Sequence, residues 1–271
     1  MPANPQRLTP GLIRRTLAYR WVCLGLLFLT GLLAFFTRLA PAVTIPDLRE
    51  AFVLDPAELA LLTSLYLWPF ALMQPLAGLL TDVFGPRRTV TAFLVAAGVG
   101  QVLFASAPSF LVALIGRALT GLGASVFYVG AAKIMAQWFR SSEFGTLTGA
   151  WTSVANLGGL TAAAPLMALI TLAGWRLSLG GVGLVMLVTA FLVYVFVRNS
   201  PSELGLPSLA EIDGVAPPRA AEPVDTAWTG RPRGAARTQY LAPWRVCLPA
   251  LRHHDDDARA LGPAVSHGCL R

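Results

Sequence analysis

The sequence predicts an all-α membrane protein with six transmembrane helices, and two observations carry this prediction. Of the 271 residues, 55% are hydrophobic and only 13% are charged, and the mean hydropathy is +0.61. A soluble domain, by comparison, carries about 25% charged residues. Apolar runs of about 18 residues or more also recur along the chain, and runs of that length are typical of membrane spans.

Glycine, proline and charged residues between the apolar runs divide the chain into six predicted spans. Each span has the roughly 20 residues that cross a bilayer about 30 Å thick. The spans are placed at Trp21–Val43, Pro56–Leu80, Thr89–Ala107, Phe110–Ala136, Phe144–Ala173 and Leu177–Val197. Because the connections are short, consecutive spans are expected to be antiparallel neighbours. Residues 1–18 then form an N-terminal segment, 19–198 the six-span domain, and 199–271 a tail that is predicted to be disordered.

Arginine residues are concentrated at one end of the predicted bundle. Only Arg49 and Arg176 fall at the other end. Under the positive-inside rule, this distribution places the N-terminus and the tail in the cytoplasm. We therefore expect a multi-pass protein of a bacterial-type inner (plasma) membrane. The concentrated residues are Arg7, Arg14, Arg15, Arg20, Arg87, Arg88, Arg140 and Arg198.

The segment Gly78–Val90, GLLTDVFGPRRTV, connects the second and third predicted spans. Gly85 and Pro86 predict a tight turn, and the two arginines that follow are expected at the cytoplasmic interface. Any short cytoplasmic loop can carry such arginines. Asp82 is more informative, because an acid at the inner end of an apolar helix needs a partner or a helix N-terminus.

This segment resembles G-x-x-x-D-x-x-G-x-R-R, the signature loop of the major facilitator superfamily of secondary transporters. The resemblance implies that the aspartate bridges to neighbouring helices and helps to lock one of two access states, while the glycines permit the turn. The implied gating residues are Gly78, Asp82, Gly85, Arg87 and Arg88. Two positions depart from the family pattern, because Val83 replaces the usual arginine and Pro86 a usual basic residue. Both departures weaken the expected charge relay.

Other stretches extend the resemblance to about residues 18–210. GRALTGLGAS, at 116–125, is similar to the R-x-x-x-G-x-G helix of the family, and the sequences at 138–159 and 198–208 resemble organophosphate–phosphate antiporters and nearby organic-anion carriers. The resemblance implies the first six-helix half of a twelve-helix fold, built as two inverted three-helix repeats with the substrate site near the midplane. GWRLSLGG, at 174–181, would then be the inverted counterpart of the signature loop.

Arg38 is the principal candidate for contact with a substrate. It lies in or near the outer half of the first predicted span, where a guanidinium that faces lipid is costly. Its planar fork matches phosphate or carboxylate. The antiporters that the chain resembles carry a substrate-binding arginine eight residues before a proline, as Arg38 stands before Pro46. The alternative is an arginine that extends to the interface, because Pro41 and Pro46 can end the helix early.

Arg117 and Asn156 are further candidates for the substrate site. Arg117, in the fourth predicted span, can line the cavity, pair with a carboxylate or extend to the interface, and the resemblance implies a role in coupling or structure. Asn156, in the fifth, either lines the cavity or forms a hydrogen bond between helices. Lys133, the only lysine in the chain, is expected to be an interface anchor. Aromatic residues in the spans either shape the cavity or pack; they are Tyr66, Trp68, Tyr128 and Trp151.

The absence of certain residue types narrows the function classes. No acid or histidine falls in the middle of a predicted span, and proton-driven carriers often use such groups as relays. This favours anion exchange or facilitated anion transport. The spans contain no nucleophile–base pair, metal-ligand set or nucleotide-binding loop, so we expect no enzyme activity, no cofactor and no metal site. The expected partners are a small anion, lipid, and a second half or a second copy of the chain, without nucleic acid.

The tail differs in character from the spans and contains all three histidines. HHDDD at 253–257 and HGC at 267–269 contain metal-ligand residue types but have no recognisable site spacing. We interpret the tail from about residue 228 as the product of a frameshift, because the shifted frame over 240–257 can encode apolar or small residues at every position. A seventh span would then stand there, and the native gene would encode a twelve-span carrier.

The predicted function is secondary active or facilitated transport of a small organic or phosphorylated anion by alternating access. The chain would be a truncated form of a twelve-span carrier, with antiport as the expected mode. The alternative is a non-transporting membrane sensor or assembly partner with a transporter-like fold. Flux in reconstituted vesicles separates the two.

Overall fold

The computed structural model describes residues 9–213, except the side chains at 161–164 and 210. Within this range every regular element is a helix. The predicted frameshift near 228 and the metal-ligand residue types of the tail lie outside the described residues. The helices are α1 (Pro10–Val43), α2 (Ile45–Phe52), α3 (Pro56–Phe84), α4 (Pro86–Ala105), α5 (Phe110–Ala124), α6 (Phe127–Trp138), α7 (Ser141–Phe196) and α8 (Leu209–Ile212), with a 3-10 helix at Pro201–Leu204.

Proline and capping residues define several of the helix starts. Proline stands in the first turn of α1, α3 and α4, where its fixed φ suits the helix and its missing N–H is not needed. A capping box also begins α3. The Asp55 carboxylate accepts a 2.7 Å hydrogen bond from the Glu58 N–H, and the Glu58 carboxylate accepts a 3.0 Å bond from the Asp55 N–H. These starts are therefore set by local sequence.

Five helical stretches in the described range are long and apolar enough to cross a membrane. They are Pro10–Val43, Pro56–Phe84, Pro86–Ala105, Phe110–Trp138 and Pro165–Phe196. The helical membrane architecture predicted from the sequence is thus confirmed in its general form. The count of six spans stays a prediction, because the part of α7 before Pro165 is not among these stretches.

The helices pack as a bundle with hydrophobic clusters towards both ends. α7 packs along α1 and α4, and α5 packs against α3 and α4. One cluster includes the buried Trp138 and Trp151 side chains, and the other includes Phe104 and Trp175. Such large aromatic side chains bury much apolar surface and so contribute strongly to the stability of the packed helices. The two clusters hold the helices together, and the first of them includes residues such as Tyr66 and Trp151 from the middle of the bundle.

Two glycines with positive φ interrupt the path of the long helices. Gly85 separates α3 from α4 with φ 81° and ψ 146°, and Gly174 divides α7 with φ 78° and ψ 158°. L-residues with a side chain rarely adopt this region. The break at Gly174 falls where the sequence predicts the connection between the fifth and sixth spans. Around Gly85 the turn is shorter than predicted, because α3 continues to Phe84.

The segment 198–213 is held against one end of the bundle. The Trp138 indole N–H donates to the Arg198 carbonyl at 2.8 Å. The Arg140 guanidinium donates to both carboxylate oxygens of Asp213, at 2.6 and 2.7 Å. The first residues of the predicted tail therefore belong to the folded unit.

Candidate functional site

A cavity of about 390 Å³ lies between α1, α3, the α5–α6 junction and α7. This volume is within the range of small-molecule pockets. Twelve described residues line it, of which six are aromatic and Arg38 alone is charged. The break between α5 and α6 contributes Ser125, whose hydroxyl donates to the Leu122 carbonyl at 2.6 Å. The cavity is thus an apolar, aromatic space with one cation in its wall.

The guanidinium of Arg38 is available to a ligand. The Arg38 side chain is exposed, and its guanidinium carbon lies 5.9 Å from the centroid of the Phe35 ring. The ion pairs found among the described residues do not include it. A charged fork without a carboxylate partner, on the wall of a largely apolar cavity, is suited to an anion.

Arg117 lies behind the cavity wall and does not line it. Its side chain is fully buried, and one guanidinium N–H donates to the Thr37 carbonyl at 3.0 Å. The guanidinium carbon is 4.9 Å from the Tyr66 ring centroid and 5.5 Å from that of Phe104. Its Nε and second terminal nitrogen have no hydrogen-bond partner in the described part of the chain. The Arg117 guanidinium therefore forms a cation–π contact with the ring of Tyr66, which lines the cavity.

Asn156 does not line the cavity either. It is exposed on α7, and its amide donates to the Thr152 carbonyl at 2.7 Å. Thr152, one turn earlier, does line the cavity. Of the three candidate substrate-binding residues, Arg38 is the one that the structure places on the cavity wall.

Trp151 lines the cavity and also packs against α1, so both of the roles expected for it are present. Its indole N–H donates to the Leu27 carbonyl of α1 at 2.9 Å, and its ring lies 5.4 Å from the Tyr128 ring, centroid to centroid. A Cβ at Gly31 would stand 2.8 Å from the indole, so glycine is needed there for the ring to reach α1. Gly31 is the feature of the sequence that indicates a close contact on α1. Only the packing of α1 against α7 shows that the side chain in contact is Trp151.

Asp82 of the signature loop pairs with Lys133. The Lys133 ammonium lies 2.6 Å from the Asp82 carboxylate and 2.9 Å from the Gly78 carbonyl, to both of which it donates. The only lysine in the chain thus joins α6 to the end of α3, and it contacts two of the implied gating residues. The interpretation of Lys133 as an interface anchor did not include this pairing.

Arg87 joins the start of α4 to the end of α7. Its guanidinium donates to the Tyr194 carbonyl, with Nε at 2.9 Å, and its backbone N–H donates to the Asn199 side chain at 2.8 Å. Gly85 lies beside the same amide, because a Cβ there would meet the Asn199 side chain at 3.4 Å. Arg88 is exposed. The signature loop is therefore attached both to α6 and to the segment after α7.

Arg176 occupies a comparable position at the other end of α4. It stands two residues after Gly174, as Arg87 stands two residues after Gly85. Its guanidinium donates to the Ala107 carbonyl at 2.8 Å, just beyond the end of α4. Each arginine thus follows a positive-φ glycine and binds carbonyls near the end of a neighbouring helical segment, where a cation is favourable.

Comparisons with known proteins agree with this architecture. The chain matches the family model described as Major Facilitator Superfamily over residues 27–250. The "Probable sulfoacetate transporter SauU" of Cupriavidus necator is 29% identical over 191 residues, which cover 70% of this chain and 44% of the relative. The "Probable hexose phosphate transport protein" of Chlamydia trachomatis is 22% identical over 68% of this chain and 40% of the relative. The chain therefore spans less than half the length of these relatives.

Solved structures show the same fold. A bacterial homologue of the human lysosomal transporter Spinster, in an inward-facing and unoccupied conformation, superimposes with a TM-score of 0.62 at 19% identity, over 86% of this chain and 52% of that chain. These matches confirm the resemblance drawn from the signature loop. The chain belongs to the Major Facilitator Superfamily, whose members are membrane transporters and not enzymes.

Proposed function

We propose that this protein takes part in secondary active or facilitated transport of a small organic or phosphorylated anion by alternating access. The observation that carries the proposal is the guanidinium of Arg38, which lies on the cavity wall and forms no ion pair among the described residues. No acidic side chain is among the described residues that line the cavity. The positive charge of Arg38 is therefore available to a ligand.

The buried charge of Arg117 supports the same choice of ligand. Because it is fully buried and has no carboxylate partner in the described range, water screens its field weakly. The field of this second cation favours an anion in the cavity beyond the Tyr66 ring. The relatives named for sulfoacetate and hexose phosphate are in keeping with an anionic substrate, and both are named for transport rather than sensing.

For the conformational step, we propose that the ion pair between Asp82 and Lys133 and the contacts of Arg87 stabilise one access state. We further propose that the parts of α7 before and after Gly174 are the fifth and sixth spans of two inverted three-helix repeats. The similar backbone at Gly85 and Gly174, with Arg87 and Arg176 in matching places, supports this symmetry. The arginine distribution supports an N-terminus and a post-α7 segment on the cytoplasmic side of an inner membrane.

The transport unit requires more walls than the described helices provide. Carriers of this kind bind substrate between two halves, and this chain covers 44% of the SauU relative. We propose that a second six-helix half, or a second copy of the chain, closes the open side of the cavity. Asn156 and several side chains of α3 are exposed, and this exposure supports a partner on that side.

Counterflow in reconstituted vesicles tests the proposal. Vesicles that contain the full chain and are loaded with sulfoacetate should accumulate radiolabelled sulfoacetate above protein-free vesicles. The Arg38→Met variant should lose this uptake, while Arg49→Met, at an exposed arginine of α2, should keep it. Unchanged uptake in Arg38→Met would contradict the proposal, and uptake equal to that of empty vesicles would contradict transport by copies of this chain alone. Binding of anion without flux would favour the sensor alternative.

A further inference from the structure

We propose that the cavity selects an anion with a planar aromatic body, namely an aryl carboxylate or aryl sulfonate. This inference rests on the proposed function and deepens it, because it concerns the part of the substrate that does not touch Arg38. It distinguishes an aromatic anion from a polyhydroxylated one such as a sugar phosphate.

Aromatic side chains line the cavity on more than one wall. On the α3 wall, the rings of Tyr66 and Phe70 are nearly parallel, with an interplanar angle of 13° and centroids 6.2 Å apart. On the α6–α7 wall, the rings of Tyr128 and Trp151 are tilted by 60° with centroids 5.4 Å apart. Phe35 adds a further ring beside the cation. Flat π surfaces on two walls favour a planar ligand that stacks or packs edge to face.

Most polar side chains in the cavity already donate their hydrogen atoms within the protein. The donors are the Tyr66 hydroxyl, the Ser125 hydroxyl, the Trp151 indole N–H and the Thr152 hydroxyl. Each donates to a backbone carbonyl, at 2.6 to 3.3 Å. These groups shape the wall but have no proton left to offer to a ligand.

Few hydrogen-bond donors in the cavity remain available to a ligand, and the guanidinium of Arg38 is the only charged one among the described residues. Among the described residues that line the cavity, Arg38, Gln74 and Tyr128 are the side chains with donors outside such bonds. A sugar phosphate would use Arg38 for its phosphate, and its several hydroxyls could donate to wall oxygens such as those of Ser125 and Thr152 but would find few donors for their own oxygens. Each hydroxyl that is buried without a partner weakens binding by roughly ten-fold. An aromatic ring has no such requirement.

The position of Arg38 fits an anionic group attached directly to a ring. Its guanidinium carbon lies 5.9 Å from the Phe35 ring centroid, so the cation and an apolar wall lie side by side. A carboxylate or sulfonate bound to the guanidinium therefore places its substituent against aromatic surface. A ring at that point is compatible with both contacts, whereas a chain of hydroxylated carbons loses water there without compensation.

Isothermal titration of the full chain in lipid nanodiscs tests the inference. The probes are benzoate, acetate, glucose 6-phosphate and the uncharged benzyl alcohol. Benzoate should bind roughly ten-fold or more tightly than acetate or glucose 6-phosphate, because only benzoate satisfies both the cation and the rings. Benzyl alcohol should show no measurable binding. The Arg38→Met variant should lose benzoate binding.

A variant of one wall residue separates ring recognition from charge recognition. Tyr128→Leu removes a ring from a half-exposed position, so the fold should tolerate it. It should weaken benzoate binding roughly five-fold and leave acetate binding unchanged, whereas Tyr128→Phe, which removes only the hydroxyl donor, should leave both unchanged. Phe191→Leu, at an exposed aromatic residue outside the cavity, is the control and should change neither.

The outcomes distinguish this inference from the function on which it rests. Glucose 6-phosphate binding more tightly than benzoate, or equal loss of benzoate and acetate binding in Tyr128→Leu, would overturn the aromatic preference. Arg38-dependent binding of anions would still support the proposed function. If no anion binds, or if Arg38→Met binds all three as well as the native chain, the proposed function itself fails.

Discussion

Replacing Asp82 with asparagine and Lys133 with methionine, separately and together, tests the ion pair that joins α3 to α6. The ammonium and carboxylate are 2.6 Å apart, but the Asp82 side chain is 72% exposed and that of Lys133 is 30% exposed. Water therefore screens the pair, in spite of its short distance. Lys133 also donates to the Gly78 carbonyl at 2.9 Å, a bond that Asp82→Asn leaves in place.

These contacts set the expected magnitudes. Exposed ion pairs contribute about 0.2 to 1 kcal/mol, so the coupling energy between Asp82 and Lys133 should be about 0.5 kcal/mol. Asp82→Asn alone should cost about as much. Lys133→Met should cost roughly 1 to 2 kcal/mol, because it also removes a charged hydrogen bond to a carbonyl. Since the screening length falls to about 3 Å in 1 M salt, the coupling should shrink further there.

Unfolding in mixed micelles, with an increasing fraction of a denaturing detergent, gives the four free energies of this double-mutant cycle. A cycle between Asp82, near the end of α3, and Arg49, which lies in α2 before the start of α3, provides the control and should show no coupling. A coupling above about 2 kcal/mol that salt leaves unchanged would mean that the pair is desolvated. That result would refute the magnitude reasoned from exposure, and zero coupling at low salt would refute the pair itself.

Three further predictions follow from local geometry. Gly121→Ala should lower stability by roughly 1 to 3 kcal/mol in thermal unfolding, because a Cβ there would overlap a backbone carbonyl of α3. Gly149→Ala is the control and should leave stability unchanged, since the space around Gly149 is open. Val53→Gly should raise stability by roughly 0.5 to 1 kcal/mol, since Val53 has φ 54° and is 89% exposed; an unchanged midpoint would contradict the strain. The hydrogen bonds from Arg140 hold the pKa of Asp213 below its ordinary 3.8. The stability that this contact contributes is therefore present above pH 3.8, and it is lost as the pH falls through the lower pKa of the folded state. Hydrogen exchange at 206–213 should therefore stay slow down to about that pH, and in Arg140→Gln it should be fast throughout.

Local sequence predicted the starts of α3 and α5 and the connections at Gly85 and Gly174, but α1 begins at Pro10 rather than Trp21, and α4 at Pro86 rather than Thr89. Proline at the first turn of α3 and α4, and glycine at Gly85 and Gly174, act through the backbone of their own segments. The signature loop was recognisable for the same reason, because its spacing is short. The family assignment therefore came from residues that are close together in the chain.

Contacts between distant residues could not be predicted in this way. Lys133 meets Asp82, and Trp151 meets Leu27, only because the helices pack in one particular register, which no local pattern specifies. The burial of Arg117 between two rings has the same origin, since its neighbours come from α3 and α4. The sequence indicated which residues carry chemistry, but their positions relative to the cavity depend on helix packing.

Binding of sulfoacetate to the native chain and to Arg38→Met, measured by titration calorimetry in lipid nanodiscs, tests the central claim most directly. Hydrogen bonds to a charged group contribute about 1.5 to 3 kcal/mol, so the variant should bind roughly 10 to 100 times more weakly. Arg49→Met should bind as the native chain does. Equal affinity in the native chain and Arg38→Met would contradict the claim that Arg38 and its cavity form an anion site.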